Sequence, residues 1–174
     1  MKTKMFLMTG LLFTVATLNG CSAPAHTNTA SSERAAKTSS KLDACLLLTK
    51  SDAEELMGEA ASSPTSSQVG ETVSRCAYMS KSGKRVGLLV RQASSRSEAA
   101  QIFQKAQNES KGLSGSDPQA VPGLGDAAFW AGGTLKQLNV LKSEVWLIIT
   151  ANLGGNDQRA ASESVARKIL ARME

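Results

Sequence analysis

The stretch that decides the fold is Val145-Trp146-Leu147-Ile148-Ile149-Thr150-Ala151, near the C-terminal end of a 174-residue chain. Its β-branched and aromatic residues favour a strand, and apolar side chains occupy both odd and even positions. A strand with one face in water would instead alternate apolar and polar residues. The stretch therefore predicts a central strand that the rest of the domain covers on both faces.

Two more strand-like segments precede this stretch, at residues 127–130 and 135–141. Gly132-Gly133 and Lys142-Ser143 separate the three segments, and such pairs are typical of turns between antiparallel strands. The C-terminal half is therefore predicted to contain three consecutive antiparallel strands.

A helix is predicted after the central strand, because apolar residues return at helical spacing near the C-terminus. Asn156 or Asp157 is placed to cap its first turn. Its apolar side consists of Val165, Ile169, Leu170 and Met173.

Two earlier helices are marked by capping signatures, in which a hydroxyl residue precedes an acid by three positions. The first runs from Thr49 to Gly58 with Asp52 as its acid, and the second from Ser95 to Gly112 with Glu98. In both, the glycine is the predicted end of the helix.

Between these helices, residues 72–79 alternate in polarity and residues 86–90 return with apolar residues on one face, which predicts a hairpin. Residues 59–70 and 113–126 are predicted to be loops. The resulting order is helix, two strands, helix, three strands, helix. Short connections favour an α+β domain, with an antiparallel sheet of about five strands and three helices packed on it.

The N-terminus has the three parts of an export signal. Lys2 and Lys4 are basic, residues 6–18 are apolar and too few to span a membrane, and Leu18-Asn19-Gly20-Cys21 follows. These last four residues resemble the lipobox of bacterial lipoproteins, in which the cysteine receives diacylglycerol and becomes the new N-terminus. The alternative is an ordinary secretory signal, cut after Ala23-Pro24-Ala25.

The lipobox predicts a signal peptide at residues 1–20, a lipidated Cys21 with a flexible tether over 21–41, and a single domain at 42–174. A lipid on Cys21 would anchor the domain to a membrane outside the cytoplasm. For a Gram-negative cell, Ser22 in place of an aspartate resembles the pattern of outer-membrane sorting, with the domain facing the periplasm.

The charge of the chain argues against a nucleic-acid partner. The formal net charge is +5, and loss of residues 1–20 would remove two lysines and no acid, leaving +3. This is far from the dense positive field of a nucleic-acid binder.

Cys45 and Cys76 remain once Cys21 is assigned to the lipid. Two cysteines in an oxidising compartment predict one disulfide, and two separate buried thiols are the alternative. No metal site is expected, because two distant cysteines without a nearby histidine do not supply four ligands.

Three short motifs carry a family resemblance. Cys45-Leu46-Leu47-Leu48-Thr49 leads into the first helix, Cys76-Ala77-Tyr78 lies in the first hairpin, and Val121–Trp130 reads VPGLGDAAFW. With these motifs, residues 43–173 resemble a family of small bacterial envelope lipoprotein domains of unknown function, common in actinobacteria. The resemblance implies a small α+β fold with a Cys45–Cys76 disulfide. The family has no agreed activity, so the resemblance transfers no functional residue.

The sequence does not predict an enzyme. His26, in the tether, is the only histidine, so Ser-His-Asp and Cys-His catalysis are excluded. Asp52, Glu54 and Glu55 lie together at a helix start, where the helix dipole favours negative charge. Residues 123–128, GLGDAA, spell a dinucleotide fingerprint, but a strand rather than a helix follows them. We therefore expect a turn there and no cofactor.

A basic cluster on the first hairpin contains Lys81, Lys84, Arg85 and Arg91. It is consistent with contact to anionic lipid headgroups, wall polymers or an acidic protein. The alternative is a solvated hairpin whose charges protect a sheet edge.

The predicted function is a membrane-anchored, non-enzymatic interaction domain in the cell envelope, with an envelope protein as its partner. The alternative is a binder of a small or lipidic ligand, held in a pocket between the sheet and the helices.

Overall fold

The fold is α+β, with one antiparallel sheet that carries helices on both faces. The computed structural model describes residues 41–155 and 157–174. The elements within these residues are α1 (Ala44–Leu47), α2 (Lys50–Met57), β1 (Thr65–Val69), β2 (Val73–Met79), β3 (Arg85–Gln92), α3 (Arg96–Ser114), β4 (Gln119–Ala120), β5 (Ala127–Ala131), β6 (Gln137–Lys142), β7 (Val145–Asn152) and α4 (Gln158–Ala171).

The predicted fold class is confirmed, but the predicted counts of about five strands and three helices are wrong. The described residues form seven strands and four helices. The additional elements are β1, β4 and α1. Every residue of β1 is exposed, β4 has two residues and α1 has four. Their sequences therefore carry no apolar periodicity, and β1 forms because its backbone pairs with β2 from Thr65↔Ala77 to Val69↔Val73.

The predicted central position of this strand is confirmed, but the predicted cover on both faces is only partial, because Trp146, Ile148 and Thr150 are half-buried on one face. The strands lie in the order β1-β2-β3-β7-β6-β5-β4, which places β7 in the middle. The turn before β7 is Ser143-Glu144, one residue later than predicted, and Ser143 adopts a positive φ of 54°.

The helix ends are confirmed in part. At α2, Thr49 and Asp52 form the full capping box, and Gly58 ends the helix in the left-handed conformation. At α3, the Ser95 hydroxyl accepts from the Glu98 amide, but the Glu98 carboxylate accepts from the backbone and hydroxyl of Ser94. The predicted end at Gly112 is wrong, because α3 continues to Ser114 and Gly115 supplies the left-handed residue, with φ 75°.

The two faces of the sheet are covered unequally. On the first face, α1, α2 and α4 bury the main core, in which Leu147, Ile149 and Ile169 are fully buried. On the second face, α3 packs on β5, β6 and β7, with the Phe103 and Phe129 ring centroids 5.2 Å apart. The exposed residues of β1, β2 and β3 lie beyond α3 on this second face.

The predicted disulfide is confirmed. Cys45 of α1 and Cys76 of β2 are bonded, with their Cα atoms 5.1 Å apart. Beside it, the amide of Ala44 donates to the hydroxyl of the buried Ser74 at 3.0 Å. These two links attach a four-residue helix, too short to be stable alone, to an interior strand.

We expect the substitution Cys45→Ala to lower the free energy of unfolding by about 3–4 kcal/mol, because the bond closes a loop between cysteines 31 residues apart. Thermal melting with and without reductant measures this. The reduced wild-type chain should melt close to the variant, and reductant should leave the variant unchanged. An equal melting temperature for oxidised wild type and variant would contradict the prediction.

Candidate binding site

A cleft of about 400 Å³ lies on the second face of the sheet, beyond α3. Its floor is the row in which Ala77 of β2 pairs with Gly87 of β3, and Gly87 pairs with Thr150 of β7. A Cβ atom on Gly87 would lie 2.9 Å from the Thr150 hydroxyl oxygen and 3.8 Å from the Ala77 Cβ. The Thr150 side chain therefore lies against Gly87, and Ala77 and Gly87 are the smallest residues in the lining of the cleft.

Arg75 and Arg85 line this cleft from its two ends. In the β2–β3 register Arg75 is opposite Leu89 and Arg85 is opposite Met79, so the Ala77–Gly87 row lies between the two arginines. The two arginine rows are about 13 Å apart along the strands. Both side chains are exposed.

The lining of the cleft combines basic and polar groups with apolar side chains, among them Leu89 and Ile148. Thr65 and Ser67 of β1 contribute hydroxyl groups, Gln137 contributes an amide, and none of the lining residues is acidic. Neither Arg75 nor Arg85 forms an ion pair with a carboxylate in the described part of the chain. Guanidinium groups are always charged and donate in a fork that fits carboxylates and phosphates, so the cleft is suited to an anion.

The basic cluster predicted on the first hairpin is not one surface. Lys84 extends to the helix side, where its Nζ lies 3.5 Å from Glu59 and donates to the backbone carbonyl of Met57. Arg91 pairs in register with Val73, at the opposite end of β3 from Arg85. Lys81 lies in the turn between β2 and β3.

Arg75 is not part of the basic cluster predicted from the sequence, although strand alternation is enough to place it on the outer face. Because Cys76 and Tyr78 face the core, strand alternation places Arg75 on the other face of β2. Protection of a sheet edge does not account for Arg75 and Arg85, because β1 lies outside β2 and makes both strands interior.

The three acids at the start of α2 each have a structural partner. Both Asp52 oxygens lie 2.9 Å from the guanidinium nitrogens of Arg172. Glu55 pairs with Lys168, and Glu54 accepts from the Ala61 amide at 3.0 Å. The helix dipole is therefore only part of the explanation, since the Asp52 and Glu55 contacts also link α2 to the end of α4.

Burial raises the pKa of Asp52, but hydrogen bonds from Arg172 and Thr49 and the charge of Arg172 outweigh burial, so the pKa lies below its ordinary value of 3.8. A carboxylate with a lowered folded-state pKa stabilises the fold above its unfolded pKa. That stabilisation is lost as the pH falls through the folded-state pKa.

The GLGDAA segment is a turn, as predicted. Gly123 and Gly125 have positive φ, and strand β5 follows where a nucleotide fold would have a helix. The Asp126 carboxylate accepts from the Ser143 amide at 2.6 Å, and the Asp126 amide donates to the Leu141 carbonyl at 2.7 Å. These two hydrogen bonds link the loop that contains the segment to the end of β6 and to the turn between β6 and β7.

No group of three or more His, Cys, Asp or Glu residues in the described ranges is placed to hold a metal ion. The predictions for Cys21, the tether and the capping residue Asn156 lie outside the described residues. Within residues 41–155 and 157–174, no helix has the length and apolar character needed to cross a membrane.

A scan of protein-family models finds none that matches the chain, and neither a curated protein nor a solved structure matches it. The resemblance to envelope lipoprotein domains therefore stays a prediction.

We expect Gly125→Ala to destabilise the domain by about 3 kcal/mol or more, because its Cβ would lie 2.3 Å from the Leu141 carbonyl oxygen at a φ of +59°. Gly123→Ala is the matched control, since it also has positive φ, +76°, but open space around it. That variant should lose only about 1–2 kcal/mol. Denaturant unfolding measures both, and equal losses would refute a close-contact role for Gly125.

We expect Asp52→Asn to lower stability at pH 7 by about 2 kcal/mol, less than for a fully buried pair because the Arg172 side chain is 36% exposed. The difference from wild type should persist down to about pH 4 and shrink below it, because only the wild type then loses its charge. Glu55→Gln, at a side chain 68% exposed, should change stability little. A difference that does not depend on pH would show that the charge of Asp52 is not what stabilises the fold.

Proposed function

We propose that this chain is an exported lipoprotein, anchored to a membrane through a lipid on Cys21, whose domain binds an anionic component of the cell envelope without catalysing a reaction. One observation carries the binding role. The second face of the sheet is uncovered over β1–β3, and its cleft is lined by two arginines that form no ion pair among the described residues.

The anchor is supported by the sequence and by the chemistry of the domain. Leu18-Asn19-Gly20-Cys21 follows an apolar stretch as a lipobox does, and a tether rich in Ser, Thr and Ala separates it from the first helix. The Cys45–Cys76 disulfide is typical of proteins that fold outside the cytoplasm.

The residues of the cleft favour binding over catalysis. They offer guanidinium, hydroxyl and amide groups, while Cys76 is held in the disulfide. A guanidinium stays protonated near neutral pH, so it can position an anion but is a poor general acid or base.

A small or lipidic ligand between the sheet and the helices has less support. The cleft is lined by strand residues alone, on the face away from α2 and α4. Between the first face and those helices, the space contains buried Leu, Val and Ile side chains.

Site-specific crosslinking in living cells tests the proposal. A photo-crosslinking amino acid at Thr65, on the rim of the cleft, should give one defined envelope adduct. The same amino acid at Gln104, on the exposed side of α3, should give none. Cys21→Ser should abolish palmitate labelling and the Thr65 adduct together, because the unanchored domain is diluted away from the membrane.

Adducts of equal yield from Thr65 and Gln104 would contradict the assignment of the binding face. Palmitate labelling that persists in Cys21→Ser would contradict the anchor. A mature N-terminus at His26, measured by mass spectrometry, would instead favour the ordinary secretory signal.

A further inference from the structure

We infer that the cleft on the uncovered face recognises a phosphate ester, held between Arg75 and Arg85 above Ala77 and Gly87. The inference rests on the proposed function, in which this face is the binding surface. It adds the chemical group that the surface takes.

The position of the arginines is the first step. They come from different strands and lie on opposite sides of a row without long side chains. Both arginines line the same cleft as Ala77 and Gly87. A group seated on that row is within reach of both side chains.

The charges of the domain are the second step. Outside the cleft, Arg96 pairs with Glu144 at 3.4 Å and Arg172 with Asp52 at 2.9 Å, and Arg159 and Arg167 both pair with Glu163. Arg75, Arg85 and Arg91 form no ion pair in the part of the chain that the structure describes, and of these three only Arg75 and Arg85 line the cleft. A bound anion would give Arg75 and Arg85 the negatively charged partner that the paired arginines find in a carboxylate.

The number of acceptor oxygens is the third step. A carboxylate has two oxygens, and one guanidinium fork satisfies both. A phosphate monoester has three unesterified oxygens and up to two negative charges, so it can engage two forks at once. The hydroxyl groups of Ser67 and Thr150 line the same cleft and can donate to the remaining oxygen positions.

Titration of the protein, as isolated from cells, with glycerol 1-phosphate tests the inference at constant ionic strength by calorimetry. Flotation of the Cys21→Ser protein, which lacks the proposed anchor, with vesicles that contain phosphatidic acid, against phosphatidylcholine vesicles, tests a lipid source of the same monoester group. Binding to the soluble ester identifies a soluble ligand, and binding only to the anionic vesicles identifies a lipid headgroup. Either result supports the site, and binding to neither overturns it.

The double variant Arg75→Gln/Arg85→Gln should weaken binding at least about tenfold, since each removes charge-assisted hydrogen bonds. The matched control, Arg96→Gln/Arg167→Gln, removes the same charge outside the cleft and should change binding less than about twofold. Equal losses in both double variants would show a diffuse charge effect and overturn the site.

Two further variants separate shape from charge. Arg75→Lys/Arg85→Lys keeps the charge but loses the forks, so binding should still weaken several-fold. Ala77→Leu fills the floor without changing charge and should block binding, with its melting temperature as the check on folding. Wild-type affinity in a folded Ala77→Leu variant would overturn the inference. If the Thr65 adduct still forms but no phosphate ester binds, the proposed binding face stands and only its phosphate specificity is rejected.

Discussion

The pairing of β3 with β7 joins two local units into one sheet. Strands β1–β3 form one meander and β4–β7 another, and eight residue pairs from Arg85↔Asn152 to Gln92↔Val145 connect them. This pairing makes β7 central and sets Thr150 and Ile148 beside Gly87 and Leu89. The cleft spans that junction, so its lining exists only when the two meanders are in register.

The uncovered face follows from simple dimensions. Seven strands about 4.8 Å apart make a sheet about 29 Å wide, while a helix about 10 Å across covers roughly two strands. The first face has two long helices and a short one, but the second has only α3, packed over β5–β7. Strands β1–β3 are therefore left without a cover. Their outward residues include small and polar ones at the cleft, such as Thr65, Ser67, Ala77 and Gly87, together with the exposed apolar side chains of Val69 and Met79.

Local sequence patterns were sufficient to predict an element wherever a segment buries a regular set of apolar side chains, as the central strand and β3 do. They also predicted the Thr49–Asp52 cap, whose hydrogen bonds join residues only three positions apart. They fail for β1, TSSQV, whose stability comes from backbone pairing with a distant strand and not from its own side chains. The partner of Asp52 was equally hidden, because Arg172 lies 120 positions away and only the packing of α4 on the sheet brings it near.

The candidate site also depends partly on local sequence patterns and partly on pairing between distant segments. Alternation within β2 is enough to separate Arg75 from the core, but its relation to Arg85 depends on the hairpin register. From the sequence, the hairpin was expected to lie at the edge of the sheet, where its charged residues would protect that edge from pairing. The pairing of β1 with β2 removes that explanation, since an interior strand has no open edge to protect. Exposed arginines cost the fold little, so neither stability nor edge protection requires two of them around a row of small residues. A requirement for binding an anion does account for both the arginines and the small residues between them.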